Sequence, residues 1–250
     1  MILRFLNQLF LRLFNVEIAL KSSEKPWDGH FRSWIEKSVR EGVDPNDLGD
    51  ETWRNDRLDE IFERWYAPLI KPEYTVLELG PGSGRLTRRI VGKVRHLYVA
   101  DYSRFVCDWM RKYLAGKGDF TVIDLSTGDL AVIRDASIDG LMAHGVFEHL
   151  SLYEMHGYLT RFSRILRPGA FVTFNYDNIT SAGGREWFAE TQRLYGKASP
   201  FYFYHPESIR NIAELAGFAY ADGEVNDSRI AVMSLRWPGS SSDTTEMPTS

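Results

Sequence analysis

The sequence predicts an α/β fold in which a parallel sheet carries helices on both faces. Residues 74–174 alternate short apolar runs with helical patterns, which is typical of parallel strand–helix–strand units. One apolar run passes directly into a glycine-rich turn and then into a helical pattern, as strands do at the carboxyl edge of such a sheet. A length of 250 residues is enough for one well-buried α/β domain with additional elements.

The individual elements follow from the periodicity of the apolar residues. We place strands over 75–79, 96–100, 120–123, 138–143 and 170–174, with two more near 218–225 and 228–237. Helical patterns lie between them over 83–92, 103–115, 125–134, 152–166 and 206–216. The run Arg167-Pro168-Gly169 breaks the helix over 152–166 before the fifth strand begins.

Three regions outside this core are distinct in composition. Residues 1–73 are predicted to be an N-terminal helical region, and residues 74–237 the main domain. Within that domain, residues 178–203 are predicted to form an irregular, aromatic insertion that acts as a lid. Residues 238–250 are predicted to be a flexible tail, because they contain too little apolar surface to order themselves.

The first twenty residues predict an amphipathic helix. Polar side chains interrupt the apolar run at helical spacing, at Arg4, Gln8, Arg12 and Asn15. A membrane-spanning helix would need about 20 apolar residues without such a stripe. The apolar face of helix 1–20 is expected to pack on the domain or on a second subunit. The alternative is peripheral contact with a membrane surface, which only two positive charges support.

Charge and cysteine content argue against several classes of function. The formal net charge is −4, whereas proteins that bind nucleic acid usually present a basic face, so no nucleic-acid partner is expected. Cys107 is the only cysteine, which excludes a disulfide framework and a thiolate zinc site. We therefore expect a cytoplasmic protein, with membrane association through helix 1–20 as the alternative.

The most specific motif is a glycine-rich turn after the first strand. Gly80, Gly82 and Gly84 alternate there, which permits a tight turn and lets a ligand touch the main chain. Asp101 ends the next strand about 20 residues later, where a carboxylate can accept hydrogen bonds from both hydroxyls of a ribose. The combination predicts a site for a ligand that contains a nucleoside.

The spacing of the glycines favours one such ligand. A dinucleotide site usually has G-x-G-x-x-G, but here the sixth position is Arg85. S-adenosylmethionine (SAM) has no phosphate and needs room and a carboxylate more than a helix dipole. Glu78 stands just before the turn, where it could meet the cationic amino group of the methionyl tail. The pattern E-x-G-x-G-x-G followed by an acidic second strand resembles the class I SAM-dependent methyltransferases.

Further segments of residues 74–175 resemble this family. They are Gly128-Asp129-Leu130, Val146-Phe147-Glu148-His149-Leu150 and Arg164 to Ala170. The resemblance implies a Rossmann-like, mostly parallel sheet of seven strands with the last strand antiparallel. It also implies that adenine lies near the third strand, where Asp129 or Asp124 would accept a hydrogen bond from the adenine amino group. It implies a cofactor site made of Glu78, Gly80, Gly82, Gly84, Asp101, Tyr102, Gly128 and Asp129.

The sequence also offers one candidate general base. His144 follows the fourth strand, beside the expected position of the sulfonium, and a histidine can take the proton of an alcohol at neutral pH. The alternative is that His144 only hydrogen-bonds to its own loop. His149 is interpreted as structural. Sugar methyltransferases of this fold in some cases use a divalent metal such as Mg²⁺, for which Asp177 or Glu148 would be the ligands.

The flanking aromatic residues suggest the acceptor. Six of the seven tryptophans lie outside the central core, and flat rings with polar tips suit a pocket for a polar ring. The arrangement is similar to bacterial O-methyltransferases that modify sugars and polysaccharides. The predicted substrate contacts are His30, Tyr176, Asp177 and Tyr204, for a small-molecule or oligosaccharide acceptor. The alternatives are a methyltransferase for a lipid, quinone or other small molecule, an NAD-dependent oxidoreductase, and a SAM-binding protein without activity.

Overall fold

The computed structural model describes residues 27–50, 57–127, 130–192 and 201–239. Its helices are α1 (27–40), α2 (Leu58–Ile61, continued by a π-turn over Phe62–Tyr66 and a 3-10 turn over Ala67–Leu69), α3 (Thr87–Ile90), α4 (Arg104–Tyr113), α5 (Leu152–Ile165), α6 (Ala182–Thr191) and α7 (Pro206–Leu215). Its strands are β1 (Thr75–Leu79), β2 (His96–Asp101), β3 (Phe120–Asp124), β4 (Ile138–Ala143), β5 (Leu166–Asn178), β6 (Phe203–Tyr204), β7 (Ala219–Glu224) and β8 (Ile230–Arg236).

The described strands form one sheet in the order β3-β2-β1-β4-β5-β8-β7. All neighbours from β3 to β5 are parallel, whereas β8 runs antiparallel to both β5 and β7. The two-residue strand β6 adds to the end of β5 outside this order. The prediction of a mostly parallel, Rossmann-like sheet with an antiparallel last strand is confirmed. Strand order reverses between β1 and β4, which is where such sheets bind ligands.

The strands match the predicted positions closely, and β5 is the main exception. It begins at Leu166, directly after α5, instead of after Gly169. Its register with β4 shifts between Ile138 and Gly140, so the predicted break is a bulge within a continuous strand. Gly140 is required beside the bulge, because a Cβ there would lie 2.0 Å from the ring of Phe171.

Two helical predictions differ from the structure. The pattern over 83–92 yields only the four-residue helix α3, and that over 125–134 yields a 3-10 turn at Leu130–Val132. Residues 178–203, predicted to be irregular, contain α6. Ser181 caps this helix by accepting a hydrogen bond from Gly184 N at 2.9 Å. A Cβ at Gly184 would lie 1.7 Å from the carbonyl of Asn178, so only glycine allows this helix start.

The central strands β1, β4 and β5 are largely buried on both faces, whereas β7 at the edge is mostly exposed. Alternate residues of β1, β4 and β5 contribute to two apolar clusters, one beneath α5 and α7 and the other beneath α2 and α4. Phe174 and Tyr176 belong to the first cluster, and Met142 and Phe171 belong to the second. This alternation fixes which side chains at the carboxyl edge face each side of the sheet.

Within the predicted N-terminal helical region, the described residues form α1 and α2, whereas residues 41–50 are turns and irregular structure. The amphipathic helix predicted over 1–20 lies outside the described residues, and so do residues 240–250 of the predicted tail. In the part of the chain that is described, no helix is both long enough and apolar enough to cross a membrane.

Candidate cofactor cleft and acceptor edge

A cleft of about 610 Å³, open to solvent, lies at the carboxyl ends of β1, β2 and β4. The cleft occupies the position where the strand order reverses. The lining residues come from α1, from the loops after β1 to β4 and from α5: Trp27, Phe31, Leu79, Gly80, Gly82, Ala100, Asp101, Tyr102, Leu125, Gly145, Val146, His149, Leu150 and Tyr158.

The glycine-rich turn forms the floor of the cleft. Gly80, Gly82 and Gly84 have φ angles of 66°, 56° and 95°, in the left-handed region that favours glycine. A Cβ at Gly80 would lie 2.5 Å from Val146 Cγ2 and would fill the space above the turn. The turn therefore needs glycine both for its backbone angles and for the approach of a ligand.

Asp101 stands at the end of β2 beside this turn. It is 9% exposed, and burial raises the pKa of its carboxyl group to about 7. Backbone N–H groups of Ser103, Tyr102 and Gly82 oppose this effect, with Ser103 N at 2.8 Å from Asp101 Oδ1. The carboxylate is thus preorganised at the edge of the cleft, where it can accept hydrogen bonds from ribose hydroxyls.

Glu78 lies beneath the turn instead of in the wall of the cleft. It is 1% exposed, and burial raises the pKa of its carboxyl group to about 8. Thr87, at the start of α3, donates to the carboxyl group from its side chain and its backbone. The Oε2 atom of Glu78 has no hydrogen-bond partner among the described residues. Its predicted role at the methionyl amino group stays a prediction.

Aromatic and apolar side chains enclose the rest of the cleft. Tyr102 packs edge-on against Tyr158 of α5, with ring centroids 6.3 Å apart. His149 lies between Trp27 and Phe201, with its ring centroid 4.7 Å from each. His149, interpreted as structural from the sequence, thus lines the cleft, whereas His144 does not.

One carboxylate of α1 holds the helix against the start of α4. Asp28 Oδ1 accepts hydrogen bonds from Ser103 Oγ at 3.0 Å and from Phe105 N at 2.9 Å, at the start of α4. These contacts place Trp27 and Phe31 above the glycine-rich turn, where Phe31 lies 3.2 Å from the position of a Cβ at Gly82. The sequence analysis did not assign Trp27 or Phe31 to the cofactor site.

Polar side chains continue from the cleft along the ends of β4 and β5. Gly145, which lines the cleft, donates from its N–H to Asn175 Oδ1 at 2.8 Å. Asn175 Nδ2 in turn donates to Glu148 Oε2 at 3.4 Å. His144 is partly exposed beside Tyr66, with ring centroids 6.2 Å apart. We call this region the acceptor edge; it comprises His144, Asn175 and Asp177.

Asp177 is the buried carboxylate of the acceptor edge. It is 1% exposed, and burial raises the pKa of its carboxyl group to about 6, against the opposing effects of Arg229 and of the Trp187 indole. The Arg229 guanidinium lies 4.4 Å from the centroid of the Trp187 ring. A helix from the predicted insertion, α6, therefore covers this end of β5 with Trp187.

The other predicted acceptor contacts lie elsewhere. Tyr176 and Tyr204 are 0% and 6% exposed and belong to the apolar cluster beneath α5 and α7. Tyr204 donates from its hydroxyl to the Leu150 carbonyl. His30 is exposed on α1, and its ring centroid lies 5.9 Å from that of Trp27. None of the three lines the cleft, and their roles as substrate contacts stay predictions.

The predicted adenine contacts are partly outside the described residues. Gly128 and Asp129 fall there, so their predicted roles stay predictions. Asp124 is described at the end of β3, where it accepts hydrogen bonds from Ser126 N at 2.9 Å and from Ser126 Oγ at 2.5 Å, and pairs with Arg104. Leu125, which the sequence analysis did not single out, lines the cleft at this point.

Metal binding receives no support from the described residues. No group of three or more His, Cys, Asp or Glu side chains among them could hold a metal ion. Asp177 and Glu148, the predicted ligands, belong to no such group. The cleft itself fits SAM, because the glycine-rich turn, the buried carboxylate of Asp101 and the apolar walls together meet the needs of a nucleoside joined to an amino-acid tail.

A parallel sheet with a cleft at the point where strand order reverses is typical of α/β domains that bind nucleoside ligands. Comparison with known proteins identifies relatives of this domain. Residues 77–174 match the methyltransferase domain family. The structure resembles a Haloferax volcanii protein described as a putative methyltransferase in complex with the Trm112 activator, with a TM-score of 0.58, 18% identity and coverage of 83% of this chain and 97% of that chain. It also resembles the magnesium protoporphyrin IX methyltransferase from Synechocystis PCC 6803 with bound S-adenosylhomocysteine (SAH), with a TM-score of 0.54, 16% identity and coverage of 73% and 82%.

One curated relative is the ribosomal RNA small subunit methyltransferase A of a Nostoc species. It is 40% identical over 58 residues, which cover 20% of this chain and 21% of that protein. The chain thus spans only about a fifth of the length of this relative. Residues 77–174 thus match a methyltransferase domain, and the described residues have the fold of solved methyltransferases.

Proposed function

We propose that the protein transfers the methyl group of SAM to a hydroxyl group of a sugar or oligosaccharide. The observation that carries this proposal is the continuity between the cofactor cleft and the acceptor edge. Gly145 lines the cleft and is hydrogen-bonded to Asn175, so the two regions meet at one peptide group. An acceptor held against the ends of β4 and β5 therefore lies next to the cofactor.

The chemistry requires positioning and the removal of one proton. SAM supplies a methyl group on a positively charged sulfur, which leaves as the neutral thioether SAH. The acceptor oxygen forms a bond to the methyl carbon while the carbon–sulfur bond breaks, and the hydroxyl proton must be taken up. We assign this proton to an imidazole nitrogen of His144. Positioning supplies much of the remaining acceleration, because the acceptor is fixed in line with the breaking bond.

Asp177 is the proposed anchor for a second polar group of the acceptor. Asn175 and Asp177 alternate along β5 with Phe174 and Tyr176, so their side chains point to the face opposite the cluster beneath α5 and α7. A buried carboxylate that accepts a hydrogen bond from a substrate hydroxyl discriminates strongly against acceptors without that group. The nearby Trp187 offers an aromatic ring for the apolar face of a sugar.

The first experiment measures methyl transfer from radiolabelled SAM to a panel of acceptors. The panel contains monosaccharides, oligosaccharides, a quinol, lipid extracts and ribosomal RNA, so that each alternative class is represented. We expect label in a carbohydrate fraction. Label only in lipid, quinol or RNA would refute the sugar acceptor while preserving the methyltransferase. Binding measurements in parallel should show SAM and SAH bound far more tightly than NAD; the reverse order would refute the cofactor assignment.

The second experiment tests the proton acceptor. His144→Ala should retain SAM affinity and lose about 10²- to 10⁴-fold in turnover. His156→Ala, a partly exposed histidine of α5 outside the cleft, serves as the matched control and should behave as the parent. Turnover of His144→Ala within a few-fold of the parent at neutral pH would show that His144 is not the base. In that case Asp177 or His149 becomes the next candidate.

A further inference from the structure

A second cavity lies at the opposite, amino edge of the sheet and takes no part in the proposed function. Its volume is about 650 Å³, and it is open to solvent. Its walls come from the segment before β1, from the starts of β4 and β5 and from the end of β8. The lining residues are Pro68, Leu69, Lys71, Tyr74, Asp139, Arg167, Pro168, Gly169, Ala170, Phe171 and Arg236.

Three cationic side chains from distant parts of the sequence face this cavity, and one carboxylate partly compensates them. Asp139 is 9% exposed, and both of its oxygens are in use. Its Oδ1 accepts from Arg167 Nη1 at 2.6 Å, and its Oδ2 accepts from Thr75 N at 2.7 Å. Asp139 therefore neutralises Arg167.

Lys71 and Arg236 are compensated less directly, since Glu73 acts on Lys71 only through a coulombic interaction. Among the described residues, neither forms a salt bridge with a carboxylate. Lys71 lies 5.0 Å from the centroid of the Tyr74 ring, and Arg236 Nη1 donates to the Gly169 carbonyl at 3.3 Å. Each cation is thus positioned by a neutral group that leaves its charge free to attract an anion.

We infer that this cavity binds a phosphate group, with Lys71 and Arg236 as its cationic contacts. Phosphate suits the arrangement because a guanidinium can donate two hydrogen bonds to it and an ammonium adds a point charge. Gly169 favours access, since a Cβ there would have no atom within 4 Å and the wall of the cavity stays open. The phosphate could belong to a soluble metabolite or to the headgroup of a lipid, and the experiment separates these sources.

The test uses the full chain and inorganic pyrophosphate as the soluble probe, with binding measured by calorimetry at low salt. Vesicles of phosphatidylglycerol in phosphatidylcholine are the lipid probe, measured by co-sedimentation. We expect Arg236→Ala and Lys71→Ala each to weaken binding of one probe by at least about fivefold, as for the loss of a hydrogen bond to a charged group. Added salt should weaken it further, because the site is exposed.

The matched control is Arg111→Ala, which removes one positive charge from the exposed side of α4, where Arg111 pairs with Asp108. This variant should bind like the parent. SAH affinity should be unchanged in all three variants, which shows that they are folded. If Arg236→Ala or Lys71→Ala weakens the binding of pyrophosphate, the ligand is soluble. If these variants weaken only the binding of vesicles, the ligand is a lipid. No binding of either probe, or equal losses in Arg111→Ala, would overturn the inference.

Discussion

The raised pKa of Asp101 predicts that cofactor affinity depends on pH between about 5 and 7. Burial disfavours the charged carboxylate in the free protein, so its pKa is about 7. Ribose hydroxyls donate hydrogen bonds to the charged form, which lowers the pKa in the complex. Binding therefore releases a proton below pH 7. Affinity should rise with pH up to about 7 and become constant above it.

The magnitude follows from the fraction of Asp101 that is ionised. Two pH units below its pKa, only about 1% of the free protein carries the carboxylate. If only this form binds well, the affinity at pH 5 is about 100-fold lower than its limit at high pH. This factor corresponds to about 2.7 kcal/mol, since each pH unit is worth about 1.36 kcal/mol. It is an upper bound, because the protonated form retains its apolar contacts.

Calorimetric titration with SAH at several pH values measures both the affinity and the number of protons released. Two buffers with different ionisation enthalpies separate the proton release from the heat of binding. Asp101→Asn should bind more weakly at pH 7, by about 1.5–3 kcal/mol for the lost charge-assisted bonds. It should also lose the dependence on pH between 5 and 7.

An exposed carboxylate on α4 provides the control. Asp108→Asn should keep both the affinity and the slope of the parent, because its side chain is 70% exposed and pairs only with Arg111 among the described residues. An affinity that is constant from pH 5 to 7 would refute the role of Asp101. The same applies to a slope that persists in Asp101→Asn, which would assign the proton to another group such as Glu78.

Three further predictions concern the cover of the cleft, the glycine-rich turn and stability. Asp28→Ala removes two hydrogen bonds that hold α1 against the start of α4. It should weaken SAH binding by about 1–3 kcal/mol and expose α1 to limited proteolysis. Unchanged affinity would mean that α1 does not cover the cofactor. Gly80→Ala should lower the free energy of unfolding by about 1–3 kcal/mol and abolish SAH binding, since the φ of Gly80 is 66°. Thermal unfolding and SAH titration test this prediction, and unchanged stability and affinity would contradict it. Burial raises the pKa values of Glu78 and Asp101 above those of the unfolded chain, so their stabilising effect is present below about pH 4 and is lost as pH rises through about 7 to 8. Denaturant unfolding of the free protein should thus show higher stability at pH 5 than at pH 8.5, and the opposite order would refute this effect.

The central fold was predictable because β1, β4 and β5 are mostly buried and appear as short runs rich in apolar residues. The strands β1 and β4 begin and end at the predicted residues, and the glycine-rich turn lies between β1 and α3 as expected. The prediction of an irregular segment over 178–203 was wrong because α6 has a weak amphipathic pattern. Its start depends on a tight contact between Gly184 and Asn178, which sequence periodicity does not report.

The candidate site was predictable where neighbours in sequence are also neighbours in space. Gly80, Gly82 and Asp101 line the cleft because strand ends place them there. Trp27 and Phe31 are separated by one helical turn, which is a signal of a shared face, but nothing in the sequence indicates that this face covers a turn about 50 residues away. The connection depends on Asp28, whose hydrogen bonds to the start of α4 appear only in three dimensions.

The position of α1 has a consequence for the rate of turnover. Because Trp27 and Phe31 form one wall of the open cleft, movement of that wall away from the glycine-rich turn would widen the path by which a ligand enters and leaves. The hydrogen bonds of Asp28 to the start of α4 oppose this movement. Lid opening of this kind occurs in microseconds to milliseconds and often limits well-evolved enzymes. Loosening this anchor should then speed ligand release, so an Asp28 variant that binds SAH less tightly is expected to release it faster.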